Sequence, residues 1–363
     1  MLNKQILVSY GDQAKKMTEE LLKEIAVENE LDKDDLIALK PNLINASTSE
    51  KGATTDPQIA AALIEYLQAK GFKNIIIIEG SWVGADTDNA FKKCGYQELA
   101  RKYKIPLYNL QKSNYRKKKV FDMEIEIAEI ALKVDYLINL PVLKGHCQTN
   151  LTCALKNLKG CLSDQEKRRF HRMGLHKSIA HLNKALKQDL IIVDGIYGDL
   201  DFEEGGNAVK MNRIMAAKDP VLLDSYAAEL LGYHITDIPY LEIAAEMGIG
   251  NNNLEKAEII EINKDQAADI NYNSSKIKKL TKMIKAKNAC SACYGSLVHA
   301  LKRLDERGKL KAINQTIYLG QAYKDREIEG LGIGSCCNKA LNFVKGCPPS
   351  AKAITDFLKN QNM

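Results

Sequence analysis

The sequence predicts an α/β protein: a largely parallel sheet with helices on both faces, followed by a small cysteine-rich α/β unit. Two observations carry this expectation. Short apolar runs alternate with amphipathic stretches over the first two-thirds of the chain, and several of the nine cysteines gather near the C-terminus. Strand–helix alternation builds parallel strands joined by crossover helices, and ligands then sit beyond the carboxyl ends of those strands.

Taken in order, "QILVSY" reads as a strand and "DQAKKMTEELLKEIAVEN" as a helix. "DLIALKPNLI" is a strand that runs into a loop at Pro41. "TTDPQIAAALIEYLQAKG" has apolar residues at helical spacing, with Thr55 or Asp56 as N-cap, Pro57 in the first turn and Gly71 at the end. "NIIIIEGSW" is a buried strand entering a glycine-bearing loop, "DTDNAFKKCGYQELARKY" a helix and "IPLYNL" a strand. The basic stretch "KSNYRKKKV" is expected to be exposed. "VDYLINLPVLKGH" and "DLIIVDGIYGD" are strands ending in polar loops, and "DPVLLDSYAAELLGY" is a helix. The loops "KPNLI", "EGSWVG", "PVLKGH" and "VDGIYGD" all follow strands and should line one crevice. Residues 1–245 form this α/β domain, 246–285 a polar connector with one strand ("AEIIEI"), and 286–363 a compact cysteine-bearing unit.

With 363 residues, 45% of them hydrophobic, the chain can bury a full core without disulfide staples. A net charge of +6 is mildly basic. That favours small anionic ligands and falls short of a nucleic-acid binder. No apolar run is long enough to span a bilayer and no signal peptide is visible, so a cytoplasmic protein with no membrane partner is expected. In a reducing compartment, clustered cysteines indicate metal binding or catalysis before disulfides.

The cysteine pattern is Cys290-x2-Cys293, then Cys336-Cys337, then Cys347-Pro348-Pro349. Two thiolates separated by two residues can grip one metal centre from a single turn, and a cysteine followed by proline recurs in iron–sulfur loops. Cys347 precedes the amphipathic stretch "SAKAITDFLKN", and Cys293 precedes or begins another helix. Both placements favour thiolate. Three readings remain open: a 4Fe–4S cluster, a structural zinc, and inert or redox-active thiols. Zinc ribbons show two matched C-x-x-C knuckles, and only one is present here. Five sulfurs compete for four places, and the spacing leaves the choice between Cys336 and Cys337 open. The segment "VKGCPPSAKAI" is similar to the "GCPP" loop in cluster-bearing small subunits of hydrogenases and respiratory complex I.

A second dense region spans residues 140–182. Lys144 and His146 should deliver a cation and an imidazole to the crevice, as catalytic candidates. Lys156, Asn157, Asn42 and His171 are candidate substrate-binding residues. "TNLTCALKNLKG" reads as a helix capped by Thr149 or Asn150, whose N-terminus would complete a site for a carboxylate or phosphate. Cys153 and Cys161 are expected to be small buried hydrophobes. Asp194 could orient a lysine or a water, and Asp224 should cap or pair structurally. No nucleophile elbow, Walker loop or dinucleotide fingerprint is present.

From "LKPNLI" through "IIIIEGSW", "VDYLINLPVLKGHCQTNLTCALKNLKGCL" and "KRRFH" to "KDPVLLDSYAAELLG", the sequence resembles the DUF362 family, over roughly residues 37–235. The resemblance implies an α/β domain and an association with iron–sulfur proteins of anaerobic prokaryotes, and it brings no reaction. After "IIVDGI" this chain carries "YGDLDFEEGGNAVKMN" where the family tends to a glycine- and proline-bearing loop, which puts the local pocket shape in question. The functional expectation is a 4Fe–4S protein in electron transfer or redox catalysis, acting on a small anionic substrate with a possible redox partner protein. The alternative is a non-redox binding or assembly protein with a structural metal.

Overall fold

The computed structural model describes residues 3–205, 208–270, 280–287, 289 and 291–361. It divides into two compact units, Met1–Arg168 with His176–Tyr272, and Arg169–Leu175 with Asn273–Met363. The first unit therefore runs past residue 245. The cause is the strand of the expected connector, Glu258–Ile262, which pairs in parallel with Gln5–Tyr10 and so belongs to the main sheet.

Along the chain the strands are β1 Gln5–Tyr10, β2 Ile37–Pro41, β3 Ile75–Glu79, β4 Leu107–Asn109, β5 Tyr115–Val120, β6 Met123–Ala128, β7 Tyr136–Leu140, β8 Lys144–His146, β9 Asn150–Thr152, β10 Leu190–Asp199, β11 Ala208–Ala217 and β12 Glu258–Ile262 in the first unit. The second unit adds β13 Ile284–Ala286, β14 Ile317–Leu319, β15 Ile328–Ile333 and β16 Ala340–Val344.

The main sheet has the order β12-β1-β11-β10-β7-β2-β3-β4. Only β11 runs against its neighbours, β1 and β10. Strands β2, β3 and β7 are buried along their whole length, as expected for parallel strands covered on both faces. Their Leu39, Ile77 and Ile138 pack with Ile59, Leu63 and Leu67 of the helix Pro57–Ala69 in one apolar cluster. That helix starts where the sequence indicates: Asp56 accepts a hydrogen bond from Gln58 N, and Pro57 occupies the first turn.

From β2 the chain moves outward to β3 and β4, then returns to the other side of β2 with β7. The strand order therefore reverses between β2 and β7, and their carboxyl ends flank a switch-point crevice.

One local expectation holds and one is corrected. The basic stretch at 115–120 is exposed, as expected, and is regular because it pairs with β6 as an antiparallel hairpin. The helix expected from Thr149 is instead β9, paired antiparallel with β8. Helix begins only at Ala154, ends at Asn157 and passes into a 3-10 turn through Cys161.

In the second unit, β13, β14, β15 and β16 form a four-stranded sheet that is parallel throughout. Its described helices include Ser291–Glu306 and Ala351–Asn360. Among the described residues no helix is long and apolar enough to cross a membrane.

Candidate functional site

Lys40 and Asn139, next to last in β2 and β7, are register partners. Each places a fully buried polar side chain near the carboxyl end of an otherwise apolar strand. Lys40 Nζ pairs with Glu79 Oε2 at 2.5 Å, with both side chains almost fully buried. Gly160 lies directly over this pair: a Cβ there would stand 2.7 Å from Lys40 Nζ and 2.7 Å from Glu79 Oε1. Removing either partner would leave an uncompensated buried charge, which costs about 3–5 kcal/mol.

Side-chain amides run on from this pair as a chain. Asn42 Nδ2 donates to Asn157 Oδ1 at 2.8 Å, and Asn157 Nδ2 donates to Asn139 Oδ1 at 2.7 Å. Asn139 Nδ2 donates to Gln188 Oε1 at 2.5 Å, and Gln188 Nε2 to Asn183 Oδ1 at 2.8 Å. Each amide accepts on one side and donates on the other, which orients all of them the same way.

Lys144 sits at the head of this chain and is fully buried. Its Nζ donates to Asn42 Oδ1 at 2.9 Å, Ala53 O at 2.6 Å and Glu203 O at 2.9 Å. An ammonium has three N–H groups, and all three are used. Burial lowers its pKa to about 7, while the negative charge of Glu203 opposes the fall. When protonated, Lys144 therefore has no N–H left for a ligand.

His146 lies two residues on, on the same face of β8. Its Nδ1 accepts the backbone N–H groups of Gln148 and Thr149, both at 3.1 Å. These bonds close the turn between β8 and β9 and explain why no helix starts there: the amides that would lead a first helical turn bond to an imidazole. His146 Nε2 faces Glu203 Oε2 at 3.2 Å. Lys156 Nζ is paired with the same oxygen. Glu203 is held well below the usual carboxylate range by His146 and Lys156, against the cost of burial.

Asn42, Lys144, His146, Lys156 and Asn157, all singled out in the sequence, thus meet in one network. His171 lies in Arg169–Leu175, which groups with the second unit. The helix N-terminus expected to receive an anion is already filled: Asp224 accepts Ala154 N at 2.7 Å and Leu155 N at 3.0 Å. Asp194 accepts Asp56 N and Ile196 N, and among the described residues it pairs with no lysine. Cys153 and Cys161 are fully buried. Sequence reasoning missed Lys40, Glu79, Asn139 and Glu203. The first three had a signal, a polar residue at or next to the end of an apolar strand. Glu203 had only the unusual "DFEEGG" loop.

In the second unit, the loops bearing cysteines follow carboxyl ends of parallel strands. Cys336 and Cys337 come after β15, and Cys347 after β16. Cys290, four residues beyond β13 in the sequence, lies outside the described residues. Gly334 N donates to Val344 O and Ser335 N to Gly346 O, both at 2.9 Å, binding the Cys336 loop to the Cys347 loop. Cys293, in the first turn of its helix, joins them: a Cβ on Gly334 would stand 3.6 Å from Cys293 Sγ and 3.7 Å from Pro349 Cδ. Gly334 has φ +86, a conformation that favours glycine.

Cys337 differs from its neighbour. It is fully buried with Ile328 and Ala340, its Sγ is 3.5 Å from Tyr318 O, and burial raises its thiol pKa. Cys336 is half-buried and Cys347 exposed. Cys347 stands before Pro348, Pro349 and the cap Ser350, whose side chain accepts Ala353 N, so it is set back from the helix end rather than at it. No disulfide forms among the described cysteines. Among the described residues no three His, Cys, Asp or Glu side chains are placed to hold a metal ion. The loops meet, but the described sulfurs do not form a closed ligand sphere.

A family model described as "Domain of unknown function (DUF362)" matches residues 37–229, more than half of the chain. A thylakoid-associated protein of Synechocystis sp. is 27% identical over 231 residues, covering 59% of this chain and 68% of that protein. The lactate racemase apoprotein from Thermoanaerobacterium thermosaccharolyticum overlays 62% of this chain at 12% identity and a TM-score of 0.43. A Thermotoga maritima protein overlays 65% at 14% identity and a TM-score of 0.41. The chain spans 56% and 60% of the length of those two structures.

Proposed function

The chain belongs to the DUF362 family, and we propose that it is a cytoplasmic iron–sulfur protein. Its second unit would hold one 4Fe–4S cluster for electron transfer or redox catalysis, and its first unit would bind a small anionic substrate. The observation that carries the reading is the meeting of Cys293 with the Cys336 and Cys347 loops at one end of a parallel sheet.

The donor chemistry fits such a cluster. The candidates are all sulfurs, and Gly334 and Gly346 in the Cys336 and Cys347 loops permit close backbone approach. Cys290, Cys293, Cys336 and Cys347 are the proposed ligands. Cys337 is left out because its sulfur is turned into the small core beside Tyr318 O. The cluster would supply one-electron chemistry. The protein residues set its surroundings: backbone N–H groups in the glycine-bearing loops can donate to sulfur, and shallow burial at Cys347 keeps one edge near solvent.

In the first unit, Lys156 and His146 converge as buried donors on one carboxylate oxygen of Glu203. That pairing of donors supports an anionic substrate.

Anaerobic purification followed by iron and sulfide analysis tests the cluster. A brown protein that bleaches with dithionite is expected, whereas a colourless protein holding one zinc would leave only a structural metal. Cys336→Ser should lose iron and colour, while Cys337→Ser should keep both. Iron loss from Cys337→Ser with retention in Cys336→Ser would reverse the assignment.

A further inference from the structure

The niche formed by Lys156 and His146 already holds a carboxylate, that of Glu203. Both Lys156 Nζ and His146 Nε2 converge on the single oxygen Oε2. The two donors are almost wholly buried, with side-chain exposures of 4% and 2%, whereas the Glu203 side chain is 18% exposed. The Glu203 side chain is thus the most exposed of the trio.

The loop that carries Glu203 is fastened without using that carboxylate. Asp199 Oδ1 accepts Asp201 N and Phe202 N, both at 2.9 Å, and the Phe202 ring is buried. Lys144 Nζ holds the Glu203 carbonyl, and Asn45 Nδ2 holds the Glu204 carbonyl at 3.2 Å. Rotation of one side chain would empty the niche while the backbone stays in place. The face of the β8–β9 pair that presents Lys144 and His146 also presents Thr152, because directly opposed residues of an antiparallel pair share a face. Thr152 Oγ1 is buried and has no hydrogen-bond partner, so the face that presents His146 also holds an unused polar group, opposite Lys144.

We infer that Glu203 is an internal stand-in for the ligand, and that the Lys156–His146 niche takes the carboxylate group of a small organic acid in exchange for it. This rests on the reading of the crevice as an anion site and specifies the anion's class. A planar carboxylate is what the two donors already hold. The exchange conserves charge in the niche: one anion leaves for solvent as another arrives, so Lys156 is never left buried and unpaired, a state that would cost several kcal/mol. Glu203 lowers the apparent affinity for the acid, because only the fraction of molecules with the niche vacated can bind it.

The test is titration of the full-length protein with 13C-labelled acetate, followed by NMR relaxation at constant ionic strength, with chloride as the blank and inorganic phosphate as comparison. The parent should bind acetate weakly and saturably. Glu203→Gln, which keeps shape and removes charge, should bind it about tenfold or more tightly. Adding Lys156→Met to that variant should abolish binding. Should Glu203→Gln fail to fold, Glu203→Asp serves: its shorter reach should also tighten acetate binding over the parent. Equal affinity in parent and folded variants overturns the exchange but leaves an anion site standing. No saturable binding of acetate or phosphate to any of them overturns both. Binding of phosphate alone overturns the carboxylate class.

Discussion

His146 is neutral because of its immediate surroundings. Two backbone N–H groups donate to its Nδ1, so its proton resides on Nε2, towards Glu203. Burial lowers its pKa to about 4, so at pH 7 it is a hydrogen-bond donor to an anion and no general base. Asp194 shows the opposite effect. Burial, with the nearby charge of Asp56, pushes its pKa up to about 7. A carboxyl whose pKa is higher folded than unfolded binds its proton more tightly in the native state. Its contribution to stability is full below about pH 4, the unfolded value, and is lost as pH rises through 7. Urea midpoints of the parent should therefore fall between pH 4 and pH 7, with part of that slope absent in Asp194→Asn. An unchanged slope in the variant would contradict this account of Asp194.

Single elements show where local pattern and tertiary demand part. Residues 149–160 have the composition of a helix, yet Asn150 takes φ +60, and the amides ahead of it are claimed by His146. The helix that does form, Ala154–Asn157, is too short to stand alone. It depends on Asp224, from the helix Pro220–Leu230, to receive its first amides. Asp224→Ala should strand those N–H groups and lower unfolding stability by about 1–3 kcal/mol, read as a shift in urea midpoint. A midpoint within error of the parent would mean that this helix holds itself. By contrast, Pro57–Ala69 has its own cap, a proline in its first turn and an apolar face, and for that reason it was legible from sequence alone.

The two compact units differ in how they are built. The first closes around a large apolar cluster and a buried polar network. The second has short strands, and one of its apolar clusters comprises only Ile328, Cys337 and Ala340 with three flanking aromatic residues. A cluster bound by the second unit would stabilise that unit in particular, since metal affinity adds to folding free energy. Calorimetry of the anaerobically purified protein should show two transitions. Removal of iron by oxidation and chelation should lower only one of them. A single transition unmoved by iron removal would show that the cluster has no structural role.

What the sequence determined by itself was local: strands from apolar runs, the helix Pro57–Ala69 from its cap and period, and the candidate cysteines from their type and spacing. These depend on residues within a few positions of each other, so they can be read without a fold. Only the tertiary structure decided which polar groups meet. It joined Lys40 to Glu79 and brought Glu203 onto His146 and Lys156, pairs separated by 39 to 57 residues. It also turned Cys337 inward beside Tyr318 while leaving Cys336 in its loop. The physical reason is that a buried charge must find a partner wherever in the chain one exists, and that choice is made by the packing of the sheet, which no local period records.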